Sequence, residues 1–114
     1  MTTPADPTAE WPPLPRTVQG LAGRIAVRQP WRVDPEIPDI VGYWHSRERR
    51  IDVDRRLSRG VKWQVGFHEF VHSAIADAGI PLDHELEERV CDAVGSALCA
   101  ALEHYLLHRR PDLQ

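Results

Sequence analysis

Three residues in the stretch VGFHEFVHSA carry the densest chemistry in this chain: His68, Glu69 and His72. Positions i and i+4 of a helix face the same way, with Cβ atoms about 6 Å apart, so both imidazoles can reach one ion. Glu69 lies one step round the helix. It is not aimed at the ion but stands close to a water beside it, where a general base belongs. This spacing recurs in zinc hydrolases for that geometric reason. A catalytic zinc takes a third protein ligand and keeps one position open. Downstream, HELEERVCDAVGSAL offers Glu88, with Asp92 one turn on. Glu87 is the main competitor for third ligand, and Glu85 and His84 follow. Asp92 is placed to accept a hydrogen bond from the non-ligating nitrogen of a metal histidine, which fixes its tautomer.

These residues need rigid elements to hold them. Ser58 reads as the N-cap of a helix over residues 59–78, stopped by Gly79 with Pro81 just beyond. On its wheel, Val61, Val65, His68, His72 and Ile75 share one side. Trp63, Phe67, Phe70, Val71 and Ala74 occupy another, and only Lys62, Ser73 and Asp77 form a polar stripe. A helix apolar on two sides is a central one. Asp83 caps a second helix over residues 84–109, ended by Pro111. On that helix Glu88 and Asp92 share a face with Gly95 and Cys99, a small side that can approach the first helix closely.

Upstream, RIAVRQPWRV reads as a strand ending in a turn, and IVGYWHSRERRIDVD as a hairpin with arms at residues 40–45 and 50–54. RTVQGLAG is ambiguous, with a weak helical tendency. Residues 1–16 carry five prolines and read as a disordered or loosely docked tail, with Trp11 and Leu14 able to pin its end. The expected domain spans residues 17–110. The expected class is α+β, with a small antiparallel or mixed sheet packed on a central helix and a long C-terminal helix.

Composition narrows the setting. The chain has 114 residues, room for one core. A net charge of −3 gives no basic field for nucleic acid. No unbroken run of eighteen apolar residues is present, so no membrane span is expected. The N-terminus lacks a secretory pattern. Cys91 and Cys99 lie roughly 12 Å apart on one helix, too far to pair. They read as free thiols in a reducing, cytoplasmic compartment.

The three pieces resemble the ImmA/IrrE family of small gluzincin metallopeptidases. RRIDVDRRLSRG is similar to that family's strand and turn before the metal helix. VKWQVGFHEFVH is similar to the helix itself. EERVCDAVGSAL is similar to its E-x-x-A-[ND]-x-F-A segment, with Cys91 in the alanine place and Val94 in the phenylalanine place. A metzincin-type continuation would need glycine at 75 and histidine at 78, where this chain has Ile75 and Ala78. The chain departs from the resembled family at Phe70 and Val71, which stand where Leu-Gly is usual. It also has no helix-turn-helix ahead of the domain, which puts a repressor-linked role in doubt.

The resemblance implies a minimal zincin-like domain and a zinc-dependent endopeptidase with a protein or peptide substrate, in a phage or prophage setting. His68, His72 and Glu88 would be the zinc ligands and Glu69 the general base. The hairpin edge could pair with an extended substrate. Tyr43, His45, His84, His104 and Tyr105 are the candidate oxyanion stabilisers. The alternative is a dormant zincin-fold module that holds a structural zinc and acts by binding a partner. His104 and His108 read as cationic groups at a helix C-terminus.

Overall fold

The computed structural model describes residues 9–109. It is an α+β fold with four strands and two helices: β1 (Thr17–Gln19), β2 (Arg24–Arg28), β3 (Gly42–His45), β4 (Arg50–Val53), α1 (Arg59–Ala78) and α2 (His84–His108). The sheet order is β1-β2-β4-β3. β1 runs antiparallel to β2 and β3 antiparallel to β4, while β2 and β4 are parallel, so the sheet is mixed. α1 lies between the sheet and α2, as its two apolar sides require. Ile25, Ile51 and Val53 from the sheet meet Val65 and Phe70 on one side. Val71 and Ile75 meet Cys91 on the other.

The helix ends follow local chemistry. Gly79 adopts φ 66°, and it and Ile80 donate back to Ala76 and Ile75 to close α1. The Asp83 side chain accepts from Leu86 N–H at 2.8 Å and caps α2. Ser58 occupies the cap position of α1, but its hydroxyl makes no cap hydrogen bond. Cys91 and Cys99 are free and buried, and burial pushes their thiols up to about 12 and about 11.

Several expectations are corrected. RTVQGLAG, ambiguous in the sequence with a weak helical tendency, holds a strand. Thr17 and Val18 are stiff, β-branched residues that pair with β2. The turn closes through Gly20 N–H to Gly23 O at 2.9 Å, with Gly23 at φ 145°. Two of the three residues of the polar stripe of α1 are engaged in the fold. Ser73 is buried and its hydroxyl donates to Phe70 O. Asp77 is gripped by Arg49 at 2.8 and 2.9 Å and accepts from Ala22 N–H. Arg49 also donates to Gly23 O and lies over Trp44, so one side chain ties both hairpin turns to the end of α1. Within the residues read as a tail, residues 9–16 are docked, and Trp11 and Leu14 are the side chains that pin this end, as their types suggest. Trp11 is buried with Cys99 and Leu106 against Trp63 and Phe67, and Trp63 Nε1–H donates to Pro12 O at 2.7 Å. Residues 1–8 and 110–114 lie outside the described residues.

α2 also differs from expectation in apolarity. By length and composition alone it is apolar enough to cross a membrane, and less than a quarter of its apolar stretch is buried. Asp92 and Glu103 interrupt the run, which is why a search for unbroken apolar sequence passes over it.

Asp54, at the end of β4, provides a pH-dependent tie. It accepts from the Arg56 backbone at 2.8 Å and from its guanidinium at 2.7 and 3.0 Å, which holds its carboxyl down at about 2. An unfolded aspartate titrates near about 3.9. The folded value is the lower one, so this contribution is complete above about pH 4 and is lost as pH falls through about 2. Asp54→Asn is expected to flatten the acid limb of stability, followed by circular dichroism under denaturant between those values. Superimposable acid limbs for wild type and variant would refute the assignment.

Candidate metal centre

The helical repeat sets His68 and His72 on one side of α1, with ring centroids 4.9 Å apart. α2 then carries three carboxylates across from them. His68 Nε2 lies 3.2 Å from one oxygen of Glu88, and His72 Nε2 lies 2.8 Å from the other. The far nitrogens are occupied as well. His68 Nδ1 meets Asp92 at 2.9 Å and His72 Nδ1 meets Glu87 at 2.5 Å. Donor atoms of His68, His72 and Glu88 all lie within 4.8 Å of one another.

Donor chemistry tests whether a cation fits. A neutral imidazole has one N–H and one lone pair. In the neutral tautomer that donates Nδ1–H to Asp92 and Glu87, each Nε2 lone pair faces an oxygen of Glu88, a repulsive contact that either a second ring proton or a cation must relieve. A cation between them turns the repulsion into ligation. Zinc bonds of about 2.0–2.1 Å in a tetrahedron put donor atoms roughly 3.3 Å apart, close to the separations seen here. Two imidazoles and a carboxylate, with a carboxylate behind each imidazole, suit zinc on both type and spacing.

Glu87 therefore stands where the sequence left a choice. It points at the rear nitrogen of His72 and matches Asp92 behind His68. It also forms a second compact grouping with His72 and Cys91, but Cys91 is fully buried and its thiol is pushed up to about 12. A thiol so held is a poor ligand.

Glu69 is buried, with Oε2 3.9 Å from His68 Nε2. Burial raises its pKa above the ordinary glutamate value and Glu88 adds to the rise, while His68, His72 and a hydrogen bond from Trp44 N–H oppose it. That backbone bond was not legible in the sequence. Asp54 N–H donates to Val41 O at 2.9 Å. Alternation along β3 and β4 then turns Gly42 and Trp44 toward the open edge of β3. Trp44 N–H meets Glu69 there. Gly42 is pressed onto the same carboxylate, because a Cβ at 42 would lie 2.4 Å from Val65 Cγ1 and 3.3 Å from Glu69 Oε2. A glycine opening the hairpin arm was the one available signal.

Two cavities flank Glu69 and share Gly42 and His68. One, of about 380 Å³, is lined by Ile40, Val41, Val61 and Val65, with Asp39 and Asp92 at its rim. The other, of about 340 Å³, is lined by Tyr43, Trp44, His84, Glu87 and Glu88. Of the candidate oxyanion groups, Tyr43 and His84 are thus at the site. His45 is engaged by Asp52 at 2.9 Å. His104 and Tyr105 lie sixteen residues or more beyond Glu88, roughly 24 Å along α2. No protein-family model matches this chain, and no curated protein or solved structure matches it.

Proposed function

We propose that this chain is a zinc-dependent endopeptidase with a minimal zincin-like fold, of the ImmA/IrrE-like gluzincin kind its motifs resemble, acting on a protein or peptide. The observation that carries this reading is the direction of the imidazoles. Both Nε2 atoms face Glu88, and each Nδ1 is backed by its own carboxylate. His68, His72 and Glu88 would hold the zinc, which when bound supplies a Lewis acid for the scissile carbonyl and lowers the pKa of an attacking water.

The remaining work falls to the chain. Glu69 takes a proton from the attacking water and returns it to the leaving amine. Its burial disfavours the charged form and makes it a stronger base than a solvated glutamate. Trp44 N–H holds one of its oxygens in place. The outward carbonyls of Gly42 and Trp44 offer an edge on which an extended peptide can pair. Tyr43 and His84 stand beside that edge as donors for the developing oxyanion.

Glu69→Gln should keep its zinc, measured by metal analysis of purified protein, and lose about 10²- to 10⁴-fold in chelator-sensitive cleavage of a peptide library. A wild type that binds no zinc at submicromolar affinity would overturn the proposal. Tight zinc with no cleavage of any peptide would favour the dormant partner-binding module instead.

A further inference from the structure

The two cavities beside Glu69 have different walls. The larger, of about 380 Å³, opens at the start of β3 and has an aliphatic lining of Ile40, Val41, Val61 and Val65. Two carboxylates, Asp39 and Asp92, stand at its rim. The smaller is aromatic on its β3 side, with Tyr43 and Trp44. Among the described residues no lysine or arginine lines either cavity, whereas Asp39, Glu69, Glu87, Glu88 and Asp92 do. A dication held by His68, His72 and Glu88 would offset two of those charges, so the cleft stays negative.

The two rim acids of the larger cavity are both able to accept from a ligand. Asp92 gives Oδ1 to His68 Nδ1, but its side chain is 54 % exposed, which leaves the other oxygen accessible. Asp39 is exposed and has no ion pair or side-chain hydrogen bond among the described residues. An aliphatic sleeve with carboxylates at its mouth complements a long methylene stem that ends in a cation. A purely apolar side chain would fill the sleeve and leave the acids unanswered, and an acidic one would be repelled.

We propose that this cavity receives a lysine or arginine side chain of the substrate, and that the peptide bond cut is the one preceding that residue. The proposal rests on the peptidase reading above and names its substrate class. Direction follows from the edge strand. Antiparallel pairing is the more stable arrangement, and a peptide laid antiparallel on β3 runs from Trp44 toward Ile40. Glu69 lines both cavities, so the residue after the scissile bond falls into the one beside Ile40. Asp39 is the residue that reads its charge, because Asp92 is also committed to His68.

Peptide binding to full-length Glu69→Gln protein in the presence of zinc tests the pocket without turnover. The probes are end-blocked, dye-labelled peptides that carry one lysine, norleucine or glutamate in an otherwise uncharged sequence, followed by fluorescence anisotropy. The lysine peptide should bind about 5- to 10-fold more tightly than the norleucine peptide, and the preference should shrink as salt rises from about 50 to 500 mM. Asp39→Lys in the same background, a change at an exposed position, should erase that preference and favour the glutamate peptide with the circular dichroism spectrum unchanged. The wild type should cut the lysine peptide at the bond before the lysine, and the cut should follow the lysine when it is moved along the sequence. Equal binding of the lysine and norleucine peptides, or no binding of any, overturns the pocket, even if library peptides are still cleaved and the peptidase reading stands. So does a preference untouched by Asp39→Lys, or a cut that ignores the position of the lysine. Lysine-selective binding that Asp39→Lys removes, with no cleavage by the wild type, sustains the pocket and ends the peptidase reading instead.

Discussion

Glu88→Gln will lose zinc, and Glu87→Gln will largely keep it. The two residues are adjacent in sequence and equal in charge, so the comparison isolates position. Glu88 presents one oxygen to each Nε2, at 3.2 and 2.8 Å, and its replacement removes one of three proposed ligands. With a binding free energy of order ~10 kcal/mol across the set, one ligand carries roughly a third, which corresponds to a few hundred-fold (about 10²- to 10³-fold) in affinity. Glu87 meets the rear nitrogen of His72. Its loss frees that ring to turn and weakens it as a ligand, an effect of about 10- to 100-fold. Asp92→Asn should behave like Glu87→Gln, because Asp92 does for His68 what Glu87 does for His72. Competition with a chromophoric chelator measures all three on one scale. A larger loss for Glu87→Gln than for Glu88→Gln would shift the site to the grouping of His72, Glu87 and Cys91 and would end the proposed ligand set.

The second large effect is on the contact between the helices. A Cβ at Gly95 would lie 3.0 Å from His68 N, 3.1 Å from His68 Cα and 3.3 Å from Phe67 C. All three atoms are backbone of α1 and cannot rotate away. Gly95→Val must push the helices apart, and overpacking of this kind costs about 1–3 kcal/mol in a closely packed interior. The exposed Ala76→Val in α1 should cost less than about 1 kcal/mol, the helix-propensity difference alone. Denaturant titration separates the two. The metal centre should suffer beyond the stability loss, because Glu88 and Asp92 ride on the displaced helix. Zinc affinity of Gly95→Val should therefore fall even at temperatures where the variant is folded. Unchanged stability and affinity in that variant would mean that α2 does not approach α1 at this glycine.

Much of this molecule could be read along one helix at a time. The i, i+4 spacing alone places His68 and His72 on one face, because the helical repeat is local and needs no partner. The bounds of α1 and α2 follow from Ser58, Gly79, Pro81 and Asp83, residues whose backbone preferences act where they stand. The apolar period of residues 86–105 marks α2 for the same reason.

The tertiary structure decided what depends on relative rotation and on chain segments far apart. Glu87 and Glu88 sit about 100° apart on α2. Which of them meets the Nε2 atoms is set by how α2 is turned against α1, with Gly95 at the contact. Asp77 reads in the sequence only as part of a polar stripe, and its partner, Arg49, stands twenty-eight residues earlier. Thr17–Gln19 became a strand because β2 was there to pair with it. The hydrogen bond that steadies Glu69 comes from a backbone N–H at Trp44. Every non-proline residue carries that group, so no side-chain pattern can announce it.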